Sequence, residues 1–196
     1  MTAAILVFAR APNPGEVKTR LIPALGADGA ASLHASLVER VLGAARRVAG
    51  ARLELWGSAS HAFFDDCSRR YGASLHEQCG GDLGERMAHA FASALQAADR
   101  VVLVGSDIPA LDAGYLQRAL AMLEEVPAVL GPAEDGGYVL VGLRRPEPAL
   151  FEGVAWGSAG VLVQTRERLA RLGLRWRELE PLCDLDRPED LARLSR

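Results

Sequence analysis

Short apolar runs alternate with longer segments of helical period along this 196-residue chain. That alternation predicts an α/β fold, a three-layer α/β/α sandwich around a mostly parallel sheet. Three observations carry the expectation. Runs such as residues 3–8, 101–104 and 138–143 are almost wholly apolar, as strands covered on both faces are. The segments between them repeat apolar residues three and four apart. Neither an internal repeat nor a low-complexity linker interrupts residues 1–196, so one domain is expected, large enough to bury about 70% of its unfolded surface.

The first strand is residues 3–8, followed by a polar, Pro/Gly-rich stretch at 11–26. Leu33, Leu37, Val41, Leu42, Ala45 and Val48 then mark an amphipathic helix ending near Gly50. Residues 52–56 read as a strand, Phe63 and Phe64 lie in a short helix, and residues 73–76 form a weak edge strand. Asp82 and Glu85 make a D-x-x-E cap for a helix expected to bury Leu83, Met87, Phe91 and Leu95. The central strand is 101–104. Asp112 caps the next helix, with Leu116, Ala119, Leu120 and Leu123 turned inward, and strands follow at 128–130 and 138–143 around a turn-rich loop. Residues 145–172 end in a last long helix, and 174–179 form the final strand. Asp186 and Glu189 form a capping box for a short terminal helix, with Pro188 in its first turn.

Composition excludes several functions. Lys and Arg number 22 against 25 Asp and Glu, a formal charge of −3, so bulk positive charge does not support nucleic-acid binding. The continuous apolar runs fall far short of the ~20 residues of a membrane span. No cation precedes the first run, which leads into Arg10, so no signal peptide is expected and the chain is expected to be cytoplasmic. Cys67, Cys79 and Cys183 are odd in number and lack C-x-x-C spacing, and they read as reduced thiols. His34, His61, His76 and His89 show no zinc-binding spacing.

In open α/β sheets ligands lie beyond the carboxyl ends of the strands, which directs attention to four loops. Residues 10–20 bring Arg10, Lys18 and Arg20 into a loop shaped by Pro12, Pro14 and Gly15; the pattern is neither G-x-G-x-x-G nor a Walker P-loop, yet it suits an anion. Gly105-Ser106-Asp107 ends the central strand, where Asp107 can cap a turn or bind a hard cation. Asp135 precedes Gly136-Gly137, either a plain turn or a general base beside a close substrate approach. Asp184-Leu185-Asp186 reads first as a helix start. Trp156, beside Gly157, is either core or the wall of an acceptor pocket.

Together, residues 8–12 with Gly15-x-x-Lys18-Thr19-Arg20-Leu21, then Gly105-Ser106-Asp107-Ile108-Pro109, Asp135-Gly136-Gly137-Tyr138 and Asp184-x-Asp186-x-Pro188 resemble one group over roughly residues 3–192. It is the glycosyltransferase-A-type nucleotide-diphospho-sugar transferases, including bacterial radical-SAM/selenodomain-associated transferases. The layout is also similar to nucleotidyltransferases such as 2-phospho-L-lactate guanylyltransferase. The resemblance implies a nucleotide held by Arg10, Pro12, Gly15, Lys18, Arg20, Gly105 and Ser106, with Mg²⁺ or Mn²⁺ on Asp107. Sugar transferases often carry Asp-x-Asp at that point, but here Gly105 stands two before Asp107, so either a second ligand comes from Asp135 or Asp186 or the site works with one carboxylate.

The leading expectation is sugar transfer from a nucleotide-sugar to a small acceptor, with Asp107 and Asp186 on the metal, Asp135 as base, and Gly136, Gly137 and Trp156 on the acceptor side. The alternatives are nucleotidyl transfer from an NTP to a phosphorylated acceptor with pyrophosphate release, and a nucleotide-binding module without turnover. All of them require Lys18 and Arg20 to meet Asp107 at one rim.

Overall fold

Residues 2–195 are described by a computed structural model, with side chains as far as residue 192. Its strands are β1 (Ala3–Ala9), β2 (Ala51–Gly57), β3 (Ser74–Glu77), β4 (Arg100–Val104), β5 (Ala128–Pro132), β6 (Tyr138–Leu143) and β7 (Trp176–Glu178). They form one sheet in the order β3-β2-β1-β4-β6-β5-β7. Only β6 runs against its neighbours, antiparallel to both β4 and β5, while the other pairings are parallel. Every residue of β1 is buried, as its unbroken apolar sequence requires of a strand with helices on both faces.

Five α-helices cover the sheet among the described residues: α1 (Ile22–Arg46), α2 (Ala62–Tyr71), α3 (Leu83–Ala94), α4 (Ala113–Met122) and α5 (Val161–Arg171). On one face Val38, Val41 and Leu42 of α1, Phe64 of α2 and Leu116 of α4 pack on Ile5, Val7, Leu55 and Val102. On the other, Met87 and Phe91 of α3 and Leu162 and Leu169 of α5 pack on Leu6, Trp56, Leu103 and Val141. The expected caps form: Asp82 accepts from Glu85 N at 2.8 Å and Asp112 from Tyr115 N at 2.7 Å.

Several expectations need correcting. The first helix begins well before residue 33, because a 3-10 turn at Thr19–Leu21 and one apolar turn lead into it, with Gly26 (φ 71°) breaking the helical path. Thr19–Arg46 thereby reaches the length and mean hydropathy, 1.2, of a bilayer span. Its inner stripe instead packs on the sheet, so it serves as a core helix. The buried face of α3 is Gly84, Met87, Ala90, Phe91 and Ala94, and Leu83 is exposed. Gly84 makes that rotation possible: a Cβ there would crowd Phe151 O and the Trp156 ring. At the terminal 3-10 helix (Pro188–Ser195), Asp190 rather than Glu189 accepts from the amides of Asp186 and Arg187, at 3.1 and 2.9 Å. The side chain of Asp186 is thereby left for other work.

The cysteines form no disulfide among the described residues, and burial, helped by Glu39, raises the Cys67 thiol to about 11, against any role as nucleophile. The arginines of α5 and β7 pair locally, Arg166 with Glu178 at 2.6 and 2.8 Å and Arg177 with Glu125 at 2.8 Å. Phe91 lies parallel to Phe151 with ring centroids 5.8 Å apart, anchoring α3. Phe91→Ala is expected to cost about 3–5 kcal/mol, read as a lowered urea midpoint.

Candidate active site

Topology decides which loops meet. β1 and β4 are parallel, so the segments after Ala9 and Val104 leave the sheet at one edge. Because β6 is antiparallel, the loop between β5 and β6 and the start of β6 lie at that same edge, and Gly105 N donates to Val139 O at 3.1 Å. The stretch after β7 is drawn in by backbone hydrogen bonds, Glu134 N to Leu182 O at 3.1 Å and Leu185 N to Asp107 O at 2.8 Å. All four loops singled out by sequence converge there.

Lys18 is their junction. Its side chain is only 2% exposed, and its Nζ lies 2.9 Å from Asp107 Oδ2 and 3.9 Å from Asp186 Oδ1 and donates to the Leu185 carbonyl. Asp107 and the Leu185 carbonyl accept from the ammonium, and Asp186 adds its charge from beyond hydrogen-bond range. The backbone accommodates this in the left-handed region (φ 48°, ψ 40°), a conformation no other non-glycine residue adopts among those described. Such a position costs about 1 kcal/mol or more and persists only where surroundings enforce it.

Asp107 is two-sided. Its side chain is 42% exposed to the cleft, yet Oδ1 is buried without a hydrogen-bond partner, standing 3.4 Å from His34 Nδ1. That separation is a polar contact, beyond hydrogen-bond range. Burial alone would raise the Asp107 pKa, but His34 and Lys18 outweigh it and hold the carboxyl below its ordinary value. Asp184 lies on the other side of the balance: burial first, then the charges of Asp135 and Asp107, push it up to about 7. Its Oδ1 also is buried with no hydrogen-bond partner. Asp186 pairs with Arg20 through Oδ2.

Two adjoining clefts result. One, of about 230 Å³, is lined by Arg10, Lys18, Arg20, His34, Asp107 and Asp186. The other, of about 370 Å³, is lined by Asp135, Asp184 and Arg187, and shares Arg20 and Asp186 with the first. Arg10, Lys18, Arg20, Asp107, Asp135 and Asp186 are thus assembled as the sequence requires. Gly15 (φ 86°) shapes the basic loop, Pro12 is half-buried in it, Ser106 is buried, and Gly105 has open space beside its α-carbon.

On the acceptor side Asp135 Oδ1 accepts from Gly137 N at 2.9 Å, closing its own turn. Gly136 (φ 92°) packs its α-carbon on the backbone of Ala159, and Trp156 packs on Gly84 and, edge-on, Tyr138. Packing accounts for these two residues, and neither lines the two clefts. The sequence reading omitted His34 and Asp184 from the site. A histidine on the apolar stripe of α1 was the available signal for the first, and a second aspartate two before Asp186 for the second.

Two outcomes follow. Lys18→Met leaves the Asp107 carboxylate without its ammonium partner, with an expected loss of about 2 kcal/mol by chemical denaturation, the solvent reached by Asp107 moderating the full cost of a broken buried pair. Asp184 has its folded pKa raised above the unfolded value of 3.8, so its contribution favours the fold below that value and is lost as pH rises through about 7. Asp184→Asn in chelator is therefore expected to raise Tm at pH 8 and to lose that advantage by pH 4, measured by thermal melts across the range.

Known proteins bear on this arrangement. The chain is 32% identical over 183 residues to phosphoenolpyruvate guanylyltransferase of Rubrobacter xylanophilus, spanning 91% of this chain and 87% of that protein. It superposes with a TM-score of 0.91, at 38% identity, on a crystal structure from Desulfovibrio desulfuricans G20 named provisionally as a nucleotide-diphospho-sugar transferase, covering 100% of this chain and 87% of that one. Glucosyl-3-phosphoglycerate synthase of Mycobacterium tuberculosis, in complex with Mn²⁺, UDP and glucosyl-3-phosphoglycerate, shares the fold at a TM-score of 0.59 and 16% identity over 100% of this chain and 76% of that one. The model of the bacterial family described as "Uncharacterized protein conserved in bacteria (DUF2064)" matches residues 39–158, and the chain belongs to that family.

Proposed function

We propose that this protein is a nucleotidyltransferase: it joins the nucleoside monophosphate part of an NTP to a small acceptor that already carries a phosphate or carboxylate, releasing pyrophosphate. The observation that carries this reading is the convergence of Asp107, Asp184 and Asp186 on the buried Lys18 ammonium, beside a loop bearing Arg10 and Arg20. An anionic acceptor needs no base to ionise it. It needs its negative charge and that of the triphosphate brought together, which is what cations on two adjoining clefts do. The guanylyltransferase relative favours GTP and an acceptor of the phosphoenolpyruvate kind as the first pair to test.

The residues suit a divalent cation. The buried, unpartnered Oδ1 atoms of Asp107 and Asp184 are hard oxygen donors, and the Asp184 pKa is raised by burial first and then by the neighbouring carboxylates of Asp135 and Asp107. Among the described residues no group of three or more His, Cys, Asp or Glu is arranged to hold a metal ion unaided. Mg²⁺ characteristically takes one or two carboxylates and completes its shell with water and substrate phosphates. Asp107 and Asp184 would hold it, with Asp186 nearby, and when bound it would supply Lewis-acid stabilisation of phosphoryl oxygens.

Arg10 and Arg20 bind the β- and γ-phosphates as forked donors, and Lys18 keeps the carboxylates in place. An acceptor oxygen from the second cleft attacks the α-phosphorus, that oxygen–phosphorus bond forms as the bond to the β-phosphate oxygen breaks, and pyrophosphate leaves against Arg10 and Arg20. Arg187 faces the acceptor's own charge. The reaction fits a cytoplasmic setting, where NTP is at hand.

Sugar transfer remains the second reading, supported by the 38%-identical structure. It would assign Asp135 as base, through the oxygen not occupied by Gly137 N. The experiment is a panel of GTP, CTP and UDP-sugars with Mg²⁺ or Mn²⁺ and small phosphorylated acids, read by pyrophosphate release and by thermal shift. Ligand at 100 times its Kd stabilises by about 2.7 kcal/mol, or about 5–10 °C for a chain of this length. The expected result is pyrophosphate release that falls at least about 100-fold in Asp107→Asn. A metal-dependent response to UDP-sugars alone supports the second reading, and tight nucleotide binding without turnover supports a non-catalytic module.

A further inference from the structure

His34 is the one histidine buried among the described residues. It sits on the inner stripe of α1 among Ala30, Ala31, Leu37, Val38 and Val41, where an aliphatic side chain would pack without any desolvation cost. Its ring spans two loops. Nε2 lies 3.0 Å from the Arg10 carbonyl oxygen, which can only accept, so Nε2 carries a hydrogen and donates to the backbone of the basic loop. Nδ1 faces Asp107 Oδ1 at 3.4 Å, and neither atom has a hydrogen-bond partner. Lys18, near the far end of the loop after β1, joins that loop to Asp107 and to the C-terminal stretch; His34 adds a second contact between Asp107 and the loop, at its start.

We propose that His34 is a positioning residue: one face of its ring fixes the basic loop and the other fixes the Asp107 carboxylate, so that nucleotide phosphates held by the first lie against the cation held by the second. The inference rests on the nucleotide and metal reading given above. A histidine that only filled the core would make no distinction between its two nitrogens, and that difference can be tested.

Gln at this position reaches as far as Nε2 and keeps a donor for the Arg10 carbonyl, whereas Asn reaches only as far as Nδ1 and keeps a polar group against Asp107. GTP binding is measured by calorimetry for wild type, His34→Gln and His34→Asn, first in chelator and then with Mn²⁺. Amide hydrogen exchange over residues 11–18 is followed in the unliganded proteins. His34→Asn is expected to weaken metal-free GTP binding about tenfold, the scale of one lost hydrogen bond, and to speed exchange in the loop, while keeping the factor by which Mn²⁺ tightens binding. His34→Gln is expected to keep the metal-free Kd and loop protection within about twofold, but to cut the Mn²⁺ factor about tenfold. Equal losses in both variants, or lower Tm values with Kd and exchange unchanged, overturn the proposal and leave a core-filling role. If wild type itself binds no GTP or ignores Mn²⁺, the functional reading fails on its own account. Exchange in His34→Asn then decides: unchanged loop protection overturns the positioning role as well.

Discussion

The ammonium of Lys18 is the interaction on which the site depends. A lysine side chain this deeply buried must have partners for its charge and its donors, and it finds them in Asp107, Asp186 and the Leu185 carbonyl, from two loops far apart in sequence. Those loops would otherwise place carboxylates side by side with nothing between them. The left-handed backbone at Lys18 shows that the chain tolerates local strain to deliver the amine there.

That delivery depends on sheet topology. If β6 ran parallel to β4, the chain leaving β5 would have to cross to the opposite edge before re-entering the sheet, and the short loop that carries Asp135 directly into Tyr138 could not form. The reversed strand keeps the loop carrying Asp135 at the rim where β1 and β4 end, and the parallel β5–β7 pairing, continued by the Ala133–Leu182 bridge, brings the C-terminal segment carrying Asp184 and Asp186 to the same rim. The remaining parallel order supplies the buried floor, and α1 closes it from below, contributing His34.

Much of this was legible in the chain. The fully buried strands announced themselves as unbroken apolar runs, the caps at Asp82 and Asp112 by their side chains, and the position of Asp107 by the abrupt end of β4. What stayed hidden depended on partners distant in sequence. The start of α1 was masked by Pro23 and Gly26, which signal loop locally but are tolerated in the first turn and at a kink. The face of α3 was read one residue out because Gly84, poor in side chain, is the point of closest approach. Asp186 reads as a cap, yet its side chain pairs with Arg20, a partner distant in sequence, and Asp190 stands in for Glu189. Neither the burial of Asp184 nor the contact of His34 with Asp107 leaves any mark on local pattern.

The charges also explain why such a site can exist before any ligand arrives. Arg10, Lys18, Arg20 and Arg187 line the two clefts against a larger number of carboxylates, among them Asp184, whose pKa stands near neutrality. Holding a proton on Asp184 relieves repulsion that the crowded carboxylates could not otherwise escape. The unliganded protein thus carries a destabilising arrangement, partly neutralised by Lys18 from one side and by a proton from the other. A group with added positive charge at Asp184 would favour loss of that proton, so affinity for such a group and the pH of the medium are thermodynamically linked. Crowded carboxylates of this kind cost stability that only compensating positive charge restores, which is how a preorganised electrostatic site differs from a well-satisfied core.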